Sequence, residues 1–256
     1  LPVHLDVGRA LKGTLVFNGS DITTNNGGVC IGFFDYADSS LEATNRLTAD
    51  GFGNAMRGQN VRGYMVALNY GTNFSGNPFS IYVRNNLGTA DLMGTTGDYL
   101  GLGGGPSGYA GAPAFENKVN YTLDFTIARK AVGSVEIITT ITGGGTNWTH
   151  TRTDTTYAYP RFDCIAFRAS NAAQTASLFE FTRLLVQVIT VAPDPIPLNV
   201  IPSGGNISLE WSNPLFTLQA SPTVSGTYTN VPGATSPYTV STTEAAQFYR
   251  LHWVAP

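Results

Sequence analysis

Tyr121-Thr122-Leu123-Asp124-Phe125-Thr126-Ile127 places four large apolar side chains two residues apart, with Thr, Asp and Thr between them. A period of two sends alternate side chains to opposite sides of an extended chain. The segment therefore predicts a β-strand with one apolar and one polar face. The same period recurs outward in both directions. Phe79, Ile81 and Val83 alternate with Ser80, Tyr82 and Arg84, and further strands are predicted at about 12–17, 29–36, 61–70, 134–142 and 162–168. Between Phe179 and Ile189 the phase changes: Phe179 and Phe181 share one face, while Leu184, Val186 and Val188 continue on the other. A β-bulge near Arg183, or a strand end buried on both sides, would account for that. The best helical candidate, Ser39 to Leu47, is long enough for only a turn or two. The segment from Gly88 to Ala114, with Gly101, Gly103, Gly104 and Gly105 close together, reads as a long loop.

Composition fits this reading. Of 256 residues, 42% are hydrophobic, enough for a core, and only 12% are charged, about half the usual share. Thr, Ser, Asn, 29 Gly and 14 Pro supply much of the rest. The formal net charge of -3 is spread without a basic stripe, which argues against nucleic acid as a partner. No apolar run approaches the roughly 18 residues that a membrane-spanning helix requires. The sequence begins at Leu1 rather than Met, and we read it as a mature chain whose signal peptide has been removed, extracellular or at the cell surface. Sequons stand at Asn18, Asn73, Asn120, Asn147 and Asn206. Cys30 and Cys164 each lie in an apolar stretch. Two readings stay open for them: a disulfide across neighbouring strands, or two buried thiols packing as small hydrophobes.

Three segments are expected along the chain. Residues 1–191 form a β-sandwich, residues 192–204 a linker begun by Ala192-Pro193-Asp194-Pro195-Ile196-Pro197, and residues 205–256 a small all-β module. From Leu184 onward the charged side chains are Asp194, Glu210, Glu244 and Arg250 alone. Short strands are predicted at about 206–211, 216–220, 227–231, 237–240 and 247–253, with Trp211, Leu218, Tyr228 and Tyr249 as the module's core. So few residues make a small independent core, so support from the first domain or another subunit is expected.

Ser208-Leu-Glu-Trp211, Phe216-Thr-Leu-Gln219, Gly226-Thr-Tyr228 and Gln247-Phe-Tyr-Arg-Leu251 resemble an accessory β module at the C-termini of secreted Verrucomicrobia- and Planctomycetes-type bacterial proteins. The many strands before it, with Phe162-Asp-Cys-Ile-Ala-Phe-Arg168 and a closing strand from Phe179 to Ile189, are similar to concanavalin A-like (laminin G-like) domains. The resemblance implies an all-β chain: an antiparallel jelly-roll β-sandwich followed by the small all-β module. Such folds serve lectins, adhesion modules, hydrolases, lyases and structural subunits, so the fold does not choose among them.

A search for reaction chemistry returns little. Glycoside hydrolysis needs paired carboxylates, and concanavalin A-like hydrolases commonly carry Glu-x-Asp-x-x-Glu, which is absent here. Glu136, Glu180 and Asp124 read as solvated sheet residues, and His4, His150 and His252 are scattered. There is no Gly-x-Ser-x-Gly elbow and no His-Glu-x-x-His zinc motif. No catalytic residue is assigned and no cofactor is expected, except that Asp35, Asp38 and Asp50 offer oxygen ligands to calcium. Tyr99, Tyr109 and Trp148 are the candidates for stacking on sugar rings.

The expected function is that of a secreted, non-enzymatic structural or adhesive surface protein, the self-assembling subunit of an extracellular filament or layer. Few charges mean little repulsion between copies, and strands with few charged gatekeepers leave edges open to another chain. Its partners would be copies of itself, through strand edges or the module. A lectin that binds glycans is the alternative, and a glycan-degrading enzyme a third.

Overall fold

The computed structural model describes residues 2–24, 27–35, 61–72, 77–85, 92, 96–105, 114–168, 176–243 and 245–255. The chain divides into two compact units, Leu1–Ile189 and Thr190–Pro256.

The first unit holds strands β1 (Val3–His4), β2 (Arg9–Ser20), β3 (Gly27–Asp35), β4 (Arg62–Tyr70), β5 (Phe79–Arg84), β6 (Tyr99–Gly105), β7 (Tyr121–Ala131), β8 (Ser134–Gly143), β9 (Thr146–Asp154), β10 (Arg161–Phe162), β11 (Cys164–Arg168) and β12 (Leu178–Thr190). Two five-stranded sheets stack, with orders β11-β3-β4-β5-β6 and β12-β2-β7-β8-β9, and β1 pairs with β10. The first unit is an antiparallel β-sandwich of jelly-roll type, as the resemblance implied.

The alternation of β7 shows why. Tyr121, Leu123, Phe125 and Ile127 are 0–1% exposed and fill the space between the sheets. Across that space Phe33 of β3 stacks on Phe125 with centroids 5.6 Å apart, and Tyr70 meets Phe17 edge-on at 5.9 Å. The alternate residues face outward. There Thr14 donates to Asp124 at 2.5 Å, Lys12 pairs with Asp124 at 3.1 Å, and Thr140 bonds Thr149 at 3.0 Å. Burying Asp124 without partners would be costly, so the polar set fixes which face is solvated.

The glycine-rich segment differs from its expectation. Tyr99–Gly105 is not loop but the edge strand β6, paired with β5. Its glycines are spacing devices. A Cβ at Gly105 would run into the His150 ring and one at Gly103 into the Arg152 guanidinium, both on β9. Only side-chain-free backbone comes this close, and Arg152 Nε donates to the Leu102 carbonyl at 2.7 Å, tying one sheet's edge to the other's. Strand β9 was likewise not anticipated, and the Ser39–Leu47 helix candidate lies outside the described residues.

The second unit holds β13 (Asn199–Ser203), β14 (Asn206–Glu210), β15 (Phe216–Ser221), β16 (Thr229–Asn230), β17 (Tyr238–Ser241) and β18 (Phe248–Trp253). They form two three-stranded sheets, β13-β14-β17 and β16-β15-β18. Strand β13 occupies part of the expected 192–204 linker, because Val200 and Pro202 take places opposite Leu209 and Ile207. The buried core is Leu209, Trp211, Phe216 and Leu218, with Tyr249 packed against it. Tyr228 is not in that core. Its ring lies under the Arg250 guanidinium at 4.3 Å.

Candidate functional site

In the first unit, the outer face of the β11-β3-β4-β5-β6 sheet divides into two zones. One end carries a buried cluster of Phe34, Val61, Met65, Leu92 and Tyr99. Arg84 lies within it at 0% exposure. Its Nη1 donates to the Leu92 carbonyl at 3.0 Å, its Nη2 is 3.8 Å from Asp98, and its guanidinium sits 5.6 Å from the Tyr99 ring centre. Two cross-strand rows of this face mix small and large side chains. One runs Ala166–Gly32–Met65–Tyr82–Gly101 and the next Arg168–Cys30–Ala67–Ser80–Gly104. Met65 and the half-buried Tyr82 are the large side chains of the first row and Arg168 ends the second, and the Cβ position of Gly101 lies 3.7 Å from the Tyr82 ring.

The residues picked out by sequence do not converge on that face. Trp148 lies in β9 and points inward, 2% exposed, edge-on to Phe115 at 5.5 Å. Tyr99 is 6% exposed, and its hydroxyl donates to the Leu92 carbonyl. Neither ring can lie against a sugar, because strand pairing turns each into a core. Tyr109 lies outside the described residues, as do Asp38 and Asp50. Asp35 ends β3, 6% exposed, 3.7 Å from Arg161. Among the described residues no three His, Cys, Asp or Glu side chains group as a metal site would require.

Cys30 and Cys164 do fall on neighbouring strands, β3 and β11, yet they are not bonded. Cys164 stands opposite Phe34 and Cys30 opposite Arg168. The four-residue offset separates them by roughly 13 Å along the strand, far beyond the reach of a disulfide. Burial pushes the Cys30 thiol up to about 11, against the opposing pull of Arg168.

Asp154 and His150 sit in structural surroundings. Asp154 is 3% exposed and accepts from the Tyr64 hydroxyl at 2.8 Å and from the backbone N–H groups of Thr156, Tyr157 and Ala158 at 2.9, 3.0 and 3.1 Å. That is a turn anchor. Burial and the Asp154 charge hold the Tyr64 hydroxyl far above its ordinary value. His150 packs edge-on to Phe79, and burial together with Arg152 lowers its value.

The feature that sequence reasoning misjudged most is β12. Among the described residues it is the edge strand of its sheet, with β2 on one side. Its apolar residues are open rather than doubly buried: Leu178 is 49% exposed, Phe181 46%, Leu184 46%, Leu185 37%, Val186 42% and Val188 39%. Phe179 and Phe181 turn toward the core side, where Phe179 stacks on Phe17 at 5.2 Å and Phe181 meets Phe167 at 5.2 Å. The change of phase thus marks apolar residues on both faces of a strand that the described residues of its unit cover only around Phe179 and Phe181. Long, apolar, unpaired edges are what monomeric sheets avoid.

No protein-family model and no curated protein matches the chain. Among solved structures it is similar to the carbohydrate recognition domain of Emp46p in its metal-free form, with 11% identity, a TM-score of 0.40, and 72% of this chain and 73% of that one covered. It is also similar to the marine PL-14 alginate lyase from Aplysia kurodai, with 12% identity, a TM-score of 0.36, and 73% and 72% covered. Likenesses this remote carry no inference about the site.

Proposed function

We propose that this protein is a secreted structural or adhesive subunit that associates with copies of itself through the open edge of β12. The observation behind this reading is the exposure of Leu184, Leu185, Val186 and Val188 at 37–46% on a 13-residue edge strand. Such an edge offers backbone donors and acceptors for strand addition and apolar side chains for burial. Completing the burial of each side chain contributes about 1 kcal/mol, because roughly half of its full transfer value remains to be gained. The low charge of the chain keeps repulsion between copies small. The test is negative-stain microscopy of the purified protein beside a Leu184→Lys/Val186→Lys variant. Ordered polymers that the variant lacks support the reading. Single particles from the unaltered protein at high micromolar concentration would end it.

A lectin-type reading draws on the two cross-strand rows around Tyr82, where a sugar ring has an aromatic neighbour. Glycan-array binding lost on Tyr82→Ala would favour it over assembly.

A further inference from the structure

The two sheets of the C-terminal module pack Leu209, Trp211, Phe216 and Leu218 between them at 0–8% exposure. Beside this core runs a cleft of about 870 Å³, walled by Val200, Ile207 and Leu209 on one side and by Ala220, Phe248 and Tyr249 on the other, with polar groups such as Ser241 and Gln247 also in its lining. Val200, opposite the buried Leu209, is 58% exposed, so this edge of the core is open, and Phe248, at the start of β18, is 37% exposed at its rim. No charged side chain lines the cleft among the described residues. Two edge strands contribute to its wall: β17 pairs with β14 alone and β18 with β15 alone. Among the described residues, each leaves a row of backbone N–H and C=O groups without a strand beside it.

Apolar walls flanked by open backbone edges suit one kind of occupant. An acyl chain would satisfy the walls but not the backbone. An extended peptide with apolar side chains at alternate positions satisfies both. The same chain presents such a peptide in β12, where Leu184, Val186 and Val188 share a face and are 46%, 42% and 39% exposed. We infer that β12 of one copy docks against the β17–β18 cleft of another, completing the module's core. This rests on the β12 association proposed above and names its acceptor. Donor and acceptor are different surfaces, so the contact is head-to-tail. Each copy keeps one free donor and one free acceptor, and the assembly grows as a filament.

Three proteins test this: the unaltered chain, a donor-blocked Leu184→Lys/Val186→Lys variant and an acceptor-blocked Val200→Lys/Phe248→Lys variant. All four positions are exposed, and circular dichroism with thermal melting checks folding. Light scattering is expected to show polymers for the unaltered chain and monomers for each variant alone, with self-affinity weakened at least about 100-fold. An equimolar mixture of the variants should give a one-to-one dimer, since one still carries a cleft and the other still carries β12. An acceptor-blocked protein that polymerises normally overturns the cleft as acceptor and leaves β12 association standing. A monomeric unaltered chain overturns both. If a variant fails to fold, an acetylated peptide of residues 183–190 is titrated into the unaltered polymer. Shortened polymers support the cleft, and unchanged length at saturating peptide overturns it.

Discussion

Asp154 illustrates how much one side chain organises here. Its carboxylate holds the Tyr64 hydroxyl and three consecutive backbone N–H groups while 3% exposed. Asp154→Ala leaves those donors without an acceptor and should cost about 3 kcal/mol or more, read by urea unfolding. Tyr64→Phe removes one of these four bonds together with the bond that the Tyr64 hydroxyl accepts from the Tyr159 N–H, and should cost less, about 2 kcal/mol. Equal losses would contradict this division of roles. Cys30 provides a second test at the same scale. With its thiol pushed up to about 11 by burial, it should react slowly with a thiol reagent at pH 8 in the native protein and quickly after unfolding. A non-reducing mass that shows a Cys30–Cys164 bond would refute the register of β3 and β11. None of this was legible in the sequence. Hydrophobic period fixes which face Cys30 and Cys164 occupy, but not the offset between strands joined by a long connection. Trp148 and Tyr99 differ from expectation for a related reason: Gly and Thr neighbours suggest loop, whereas pairing with β8 and β5 buries both rings, Trp148 between the sheets and Tyr99 in the outer-face cluster.

At the scale of elements, alternation predicted β2, β7 and β8 well, because each has one buried and one more open face, and it found β4 and β5 although Met65 and Arg84 are buried on their other face. It failed for β6, whose glycines carry no hydrophobic signal. Their meaning is tertiary, since the backbone must pass against His150 and Arg152 of β9. Gly105→Val should therefore destabilise the sandwich by about 1–3 kcal/mol through overpacking, measured as a lowered midpoint of chemical unfolding. Gly133, at a turn where a Cβ meets nothing within 4 Å, has no such neighbour. Its positive φ of 73° still disfavours a side chain, and Gly133→Ala should cost about 1 kcal/mol. A larger loss at Gly133 than at Gly105 would contradict the close approach of β6 to β9. The change of phase in β12 was visible in sequence, but exposure on both faces was not, since an apolar run reads the same whether buried twice or bared for a partner.

Across the whole molecule, several buried tyrosines share one electrostatic consequence. Burial raises the hydroxyls of Tyr64, Tyr70, Tyr99 and Tyr159, the last to about 12. A group whose native value lies above its unfolded value stabilises the fold fully below the unfolded value, near 10. That stability disappears as pH climbs through the native value. Stability should thus fall steeply above about pH 10, and ultraviolet titration should show these phenols ionising only as the protein unfolds. Smooth ionisation of every tyrosine near pH 10 with the fold intact would contradict their burial. The most direct test of the proposed assembly is light scattering of the unaltered protein over a range of micromolar concentrations, beside Leu184→Lys/Val186→Lys. We predict that the unaltered chain gains mass with concentration while the variant stays monomeric. A monomer mass at every concentration for both proteins would contradict association through β12.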